Sequence, residues 1–318
     1  MLPSAPSSPD FPAPRVAILL GTFHGHRYLK EQLDSIVEQT YTSWAIWASD
    51  DGSDAQTLDI LLAYQLRLGR DRLNISRGPG QGFAANFLSL TCNDKIIAEY
   101  FAYADQDDIW DPGKLVDSVE CLAVLPVDVP ALYCGRTLKV DELNRVVGLS
   151  ALCSKPTGFG NALVQSIASG NTMVFNRAAR DLLMLAGPHV VVAAHDWWTY
   201  LLVSGSGGIV LYDPQPRVRY RQHGANLIGF NNSWEKRLKH SATLLRGRYR
   251  NWNELNLSAL QTVRAMLTVE NQYRMEMFLM ARAGNVISRW RALRNAGVYR
   301  QTLAGNVALY FALLLTKL

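Results

Sequence analysis

Four short apolar runs punctuate the first third of the chain: Val16–Leu20, Trp44–Ser49, Leu73–Ser76 and Tyr100–Ala104. Between them, apolar residues recur at helical spacing, first as Tyr28, Leu29, Leu33, Ile36 and Val37, then as Leu58, Leu61 and Leu62. Gly78, Gly80 and Gly82 form a flexible loop leading into a further helical stretch, Phe83–Leu90. Strands alternating with helices of this length indicate βαβ units, and so an α/β fold with a mostly parallel sheet flanked by helices. In such a sheet, ligands sit just outside the carboxyl ends of the strands.

The fourth run ends abruptly in acid. Tyr100–Asp111 reads YFAYADQDDIWD, and its Asp105, Asp107 and Asp108 put three carboxylates in four residues. Their mutual repulsion would be offset by a divalent cation, since hard cations take carboxylate oxygens. The other reading is a solvated acidic turn that starts a helix, with Asp111 as N-cap and Pro112 at the first helical position. Asp50–Asp51–Gly52–Ser53 closes the second strand and, taken alone, is an Asx-type turn. Asp196 opens a short helix, His195–Val203, that also carries Trp197 and Trp198. Because parallel strands share a carboxyl edge, Asp50–Asp51, Asp105–Asp108 and Asp196 are expected to line one cleft. His223 follows Arg219, Tyr220 and Arg221. With a phosphate and the aspartates it would complete an octahedral site for Mg2+ or Mn2+, the imidazole favouring Mn2+; alone, it reads as a surface-loop histidine. Trp197 and Trp198 read either as a wall beside Asp196 or as core aromatics.

The second half changes character. Ala131–Gly135, Asn171–Phe175, Gly208–Tyr212 and Arg217–Arg221 read as strands, Arg177–Leu185 as a helix, and Leu149–Gly160 and Gln222–Gly229 as loops. From Ser233 onward the pattern is helical. Leu260, Val263, Leu267, Tyr273, Met277 and Met280 form a stripe of the kind that packs into a core. Arg289, Arg291 and Arg294 precede a last apolar helix that ends near Leu315.

Charge is unevenly spread along the 318 residues: 233–318 hold 14 Lys/Arg and 4 Asp/Glu, and 1–232 hold 18 and 23. An acidic body with a basic tail leaves two readings open for the tail. Its helices lie on an anionic membrane surface, or they pack on the sheet or form a homodimer with solvated arginines. Residues 1–14 are rich in Pro and Ser with no apolar segment, so they read as a disordered lead-in and not as a signal peptide. No apolar run reaches the length of a membrane span. Cys92, Cys121, Cys134 and Cys153 include no C-x-x-C pair, which argues against a zinc site or disulfide framework and for reduced, mostly buried thiols in a cytoplasmic protein.

Five segments occur in an order and spacing that resemble a known family: ILLGTFHGHRYLKEQLDSIVEQTYTSWAIWASDDGSD, FAYADQDDIWDPGKL, SGNTMVFN, HDWW and YRQHGANLIG. Together they look like a family 2 inverting glycosyltransferase of the GT-A fold, in the bacterial rhamnosyltransferase-like branch. The resemblance covers Arg15–Phe230, about two thirds of the chain. It implies a GT-A domain over 15–232 and a basic helical extension over 233–318. It implies that Asp51, with Asp50 beside it, reads the base of a dTDP or UDP sugar, and that Thr22 lines the base and ribose pocket. Asp105 and Asp107 match the ends of a D-x-D motif, Asp105 facing ribose or donor sugar and Asp107 holding the metal with His223. Gly170, Asn171 and Thr172 match a loop beside donor sugar and acceptor, and Asp196 matches the catalytic base. The implied acceptor is a glycan or lipid-linked glycan, with no nucleic-acid partner, at the inner face of the cytoplasmic membrane. The sequence departs from the family at Phe23–His24, where Tyr-Asn is commoner.

Three rival classes fit the residues less well, a metal-dependent phosphohydrolase being the weakest of them. A dinucleotide-dependent oxidoreductase needs G-x-G-x-x-G after the first strand, and Gly21–Thr22–Phe23–His24–Gly25–His26 fails that pattern. A non-catalytic scaffold on the same fold has no need of Asp105, Asp107, Asp196 and His223 together.

Overall fold

The computed structural model describes residues 15–223 and 249–315. The lead-in 1–14, the loop after His223 and the expected boundary at 232/233 lie outside them. The strands are β1 (Val16–Thr22), β2 (Trp44–Asp50), β3 (Leu73–Arg77), β4 (Tyr100–Ala104), β5 (Ile109–Trp110), β6 (Ala131–Val140), β7 (Val146–Leu149), β8 (Val174–Asn176) and β9 (Ile209–Arg221). They form one sheet in the order β3-β2-β1-β4-β8-β6-β9-β5, with β7 on β6. β3, β2, β1 and β4 are parallel, as the alternating pattern requires. β8 then runs antiparallel between β4 and β6, and β9 runs parallel to β6.

Helices cover both faces: α1 (Leu29–Val37), α2 (Ala55–Leu68), α3 (Phe83–Thr91), α4 (Lys114–Ala123), α5 (Phe159–Ala162), α6 (Arg177–Ala186) and α7 (His195–Gly205). Side chains alternate across a strand, and β1 divides accordingly. Val16, Ile18 and Leu20 enter the core beneath α1, α2 and α4, whereas Ala17 and Leu19 enter the core beneath α3 and α7. With both faces covered, β1 is a continuous apolar run rather than an alternating one.

The C-terminal helices are α8 (Tyr249–Thr262), α9 (Val269–Ala281), α10 (Val286–Ala296) and α11 (Leu303–Leu314). Their inner residues Leu257, Leu260, Met275, Phe278, Leu293, Leu309 and Leu313 join the α3/α7 core. The tail therefore packs on the body.

Several local expectations are corrected. Gly208–Tyr212 and Arg217–Arg221 are one strand, because the ladder with β6 is interrupted between Gly135 and Thr137, where Pro214 and Pro216 need no donor role. Gly170–Thr172 is a 3-10 turn, and strand structure begins only at Val174. Asp111 caps no helix end: α4 starts after Gly113, and Asp111 Oδ1 accepts from the Gly113 amide and from Arg217 instead. The apolar stripe breaks at Tyr273 and Met280, both exposed, because Thr268 starts a new helix and resets the phase. Cys121 is exposed; all four cysteines are free thiols.

Candidate active site

The carboxyl ends of β1, β2 and β4 share one edge, and the site residues assemble there. Thr22 and Asp50 are register partners. Thr22 Oγ1 donates to Asp50 Oδ2 at 2.8 Å, and Asp50 also accepts from the Gly52 amide (3.1 Å) and from Ser53 through its amide (2.8 Å) and hydroxyl (2.5 Å). Burial pushes the Asp50 carboxyl up, but the Ser53, Thr22 and Gly52 donors outweigh it and hold the group below its ordinary value. Both Thr22 and Asp50 are thus buried inside the turn they shape. Asp51 reaches the other way: Oδ1 accepts from the Gly80 amide at 2.7 Å and Oδ2 from the Gly82 amide at 2.9 Å. Gly80 and Gly82 have φ of +69° and +88°, a region that glycine alone enters freely. Asp51 therefore fixes the mouth of the cleft between β2 and α3.

The first loop keeps its shape despite the Phe23–His24 departure. Gln106 clamps the Phe23 backbone, its amide donating to the Phe23 carbonyl and its oxygen accepting from the Phe23 amide, both at 2.8 Å. His24 sits at φ +49°, a conformation in which His, Asn and Asp are enriched among non-glycine residues.

At the end of β4, Asp107 Oδ2 lies 2.7 Å from His223 Nε2. Arg221 supports this pair from behind. Its guanidinium donates to the Asp107 carbonyl at 3.1 Å and the Glu142 carbonyl at 3.0 Å, pairs with Glu31 at 2.7 Å, and stacks on Tyr28. Asp108 is fully buried and faces inward. Its Oδ1 accepts from the Arg221 amide at 3.3 Å and its Oδ2 from Asn171 Nδ2 at 2.5 Å. Next in the chain, Gly170 donates its amide to Asp196 Oδ2 at 3.0 Å, while Asp196 Oδ1 accepts from the Trp197 amide at 2.6 Å. Only glycine fits at 170: a Cβ there would lie 2.9 Å from His195 Nε2, and His195 is stacked on Phe87 at 4.0 Å. Thr172 Oγ1 accepts from the Gly135 amide and donates to the Ser169 carbonyl.

The electrostatics bind these pieces together. Burial first, then the Asp107 and Asp196 carboxylates, raise the Asp105 carboxyl above its ordinary value, with Lys114 opposing the rise. Burial and then Asp107 and Asp105 raise Asp108 likewise. Lys114, fully buried with its Nζ 3.1 Å from the centre of the Trp110 ring, is the cation facing Asp105 and Asp108, and burial depresses its own pKa. Asp196 is raised by burial, with the Trp197 and Gly170 amides partly offsetting it.

Sequence reasoning placed Asp108 in the acidic cluster at the cleft but not in its role as a buried tie between segments, and it gave Gln106, Lys114 and Arg221 no part in the site. Lys114 carried a signal, since it shares the buried stripe of α4 with Ser118 and Leu122. Trp197 and Trp198 resolve as core aromatics. Trp197 donates to the Ala162 carbonyl and packs on Tyr249 and Trp252, and Trp198 is fully buried.

Residues 18–140 match the model of Glycosyl transferase family 2. That stretch is similar to a family 2 glycosyl transferase domain. Among curated proteins, it is 28% identical to a dTDP-rhamnosyl transferase, RfbG of Shigella flexneri, over 69% of this chain and 77% of that protein. It is also 28% identical to an uncharacterized glycosyltransferase of Rickettsia prowazekii, over 45% of this chain and 42% of that one. Among solved structures, it resembles S. aureus TarS 1–349 in complex with UDP-GlcNAc, with a TM-score of 0.52 and 15% identity over 89% of each chain. It also resembles GalNAc-T7 with UDP, GalNAc and Mn2+, with a TM-score of 0.50 and 10% identity over 94% of this chain and 58% of that one. The chain thus has the GT-A fold, with the C-terminal helices packed against the sheet domain.

The donor chemistry of the site fits a divalent cation shared with a ligand. A carboxylate oxygen and an imidazole nitrogen meet at 2.7 Å beside further carboxylates. Among the described residues no three or more His, Cys, Asp or Glu side chains form a closed metal-holding group. Such a pair suits Mg2+ or Mn2+, which are commonly held by one or two protein groups plus substrate phosphates and water.

Proposed function

We propose that this protein is an inverting, metal-dependent glycosyltransferase that moves a sugar, first choice L-rhamnose, from a dTDP or UDP sugar to a hydroxyl of a glycan or lipid-linked glycan in cell-surface polysaccharide synthesis. The carrying observation is a run of contacts: His223 meets Asp107 at 2.7 Å, Arg221 bonds both the Asp107 carbonyl and Asp108, Asp108 holds Asn171, and the adjoining Gly170 amide donates to Asp196 at 3.0 Å, so a candidate cation site and a candidate base are joined in one network. The relative named as a dTDP-rhamnosyl transferase supports the choice of sugar and base.

In this reading Asp51 and the Gly80–Gly82 loop frame the nucleobase, and the buried Thr22–Asp50 pair keeps that frame rigid. Asp105 faces the ribose or donor sugar. Asp107 and His223 would hold Mg2+ or Mn2+, which when bound supplies positive charge for the departing diphosphate. The 170–172 loop lies against Asp196 and presents the base to the acceptor. With one backbone amide on each Asp196 oxygen, lone pairs remain to take a proton from the acceptor hydroxyl, a nucleophile too weak to react unaided. Attack opposite the leaving group then inverts the anomeric carbon. A lipid-linked acceptor would be met at the inner face of the cytoplasmic membrane.

A screen of sugar nucleotides with and without Mn2+ or Mg2+, read by thermal shift and then by transfer, tests this. Ligands that bind only the native state raise its apparent stability. Stabilisation by a dTDP sugar together with transfer supports the reading. Binding without transfer to any glycan acceptor would favour a non-catalytic scaffold.

A further inference from the structure

The outer face of α11 is apolar and uncovered. Its sequence, LAGNVALYFALL, contains no charged residue. Leu309 and Leu313 enter the core, but Leu303, Val307, Tyr310, Phe311 and Leu314 are all exposed, Leu303 by 81% and Phe311 by 59%. Their spacing of four, three, one and three places them on one helical face. An uncharged, largely apolar helix belongs inside a protein or in a lipid environment, and among the described residues only its Leu309–Leu313 side enters the core.

The neighbouring α10 adds a second feature. Val286, Ile287 and Trp290 are exposed there, and the Arg294 guanidinium lies over the Trp290 ring, 4.8 Å from its centre. The charge on the described tail is mostly spent internally. Arg250 and Arg282 pair with Glu254, Arg264 with Glu276 and Arg274 with Glu270. Arg289 is buried and donates to the carbonyls of Ala281 and Leu313, so it does not stand on a membrane-facing surface as the sequence suggested. Arg300 donates to the Val164 carbonyl. Arg291 and Arg294 are exposed, and among the described residues no carboxylate pairs with them.

We infer that the outer face of α10 and α11 is a lipid-docking surface for an anionic bilayer. The apolar face would enter the headgroup boundary, Trp290 and Tyr310 would sit at the interface where amphipathic rings are favoured, and Arg291 and Arg294 would meet lipid phosphates. A two-fold contact between copies would be isologous, bringing two sets of these arginines to one interface with no acidic partner on α10 or α11. This surface needs neither donor nor acceptor, so its failure would leave the proposed activity untouched.

The test is co-sedimentation of the full-length protein with vesicles of phosphatidylcholine alone or mixed with phosphatidylglycerol. Binding to the anionic vesicles should be at least about tenfold tighter, since each basic side chain near such a surface contributes roughly 1 kcal/mol. Arg291→Glu with Arg294→Glu should erase that preference, and Phe311→Asp should weaken binding to both vesicle types. All three positions are exposed, and equal melting temperatures would confirm that the variants fold. If Phe311→Asp fails to fold, the charge-reversal pair still decides. Absence of binding to anionic vesicles, or binding unchanged by the variants, overturns the inference. So does a dimer in light scattering that Phe311→Asp dissolves while vesicles remain unbound.

Discussion

Asp108 Oδ2 lies 2.5 Å from Asn171 Nδ2, joining segments 63 residues apart, and its other oxygen takes the Arg221 amide. One buried carboxylate therefore holds the acidic turn of β4, the loop that presents Asp196, and the strand end that carries His223. Asp108→Ala should leave the Asn171 side-chain amide and the Arg221 backbone amide without their acceptor. Leaving a buried donor unsatisfied costs about 1–3 kcal/mol, and urea unfolding should show a loss of that order. Asp108→Asn keeps a carbonyl acceptor and should lose less. Equal losses for the two variants would mean that the charge, not the hydrogen bonding, does the joining.

The Asp107–His223 pair sets the metal prediction. Asp107→Ala and His223→Ala should each weaken cation-dependent binding of the sugar nucleotide by about tenfold or more, since changes even outside the ligand shell commonly cost 10–100-fold. Calorimetry with and without Mn2+ reads this directly. The wild type should lose turnover in excess chelator and regain it when Mn2+ or Mg2+ is restored. Full turnover in chelator would rule out the cation's role.

The half of the sheet built from β3, β2, β1 and β4 was legible because its information is local: each strand is a buried apolar run and each helix keeps its own period. The gathering of Asp50 and Asp105 at one edge followed from parallel topology, whereas Asp196, in the first turn of α7, is tied in through the Gly170 amide. The antiparallel half was less legible. β5 is two residues long and is defined by its pairing with Arg219 and Val218, which no window of sequence reveals. The bracing roles of Arg221 and Asp108 escaped notice for the same reason, since their partners lie from 63 to 190 positions away. Arg289 looked like a surface cation because charge in a sequence carries no burial, and only the packing of α9, α10 and α11 turns it inward.

That inward turn makes Arg289 a stability determinant. It is 2% exposed and donates to the Ala281 and Leu313 carbonyls, so it ties the ends of α9 and α11 to α10. Hydrogen bonds to charged groups contribute about 1.5–3 kcal/mol each. Arg289→Ala should lower unfolding stability by at least one such increment and raise hydrogen exchange across α11, with little effect on donor affinity. Arg291→Ala, on the exposed side of the same helix, should be nearly neutral. The reverse order of effects would contradict the packing.

Asp196 gives the sharpest test of chemistry. Removing a general base typically lowers rate by about 10²–10⁴-fold. Asp196→Asn keeps the side-chain shape and an acceptor for one of the two amides, Gly170 or Trp197, so donor affinity should largely hold while transfer is lost. The pH dependence has a definite sign. A base works only when ionised, so kcat should fall as pH falls through the pKa of Asp196. Burial raises that pKa above the ordinary 3.8, with the two backbone amides partly offsetting the rise. The acid limb of wild-type kcat should therefore have its midpoint above that value, and the residual activity of Asp196→Asn should lack this limb. Transfer within a few-fold of wild type, or an acid limb that survives the substitution, would move the base to another residue.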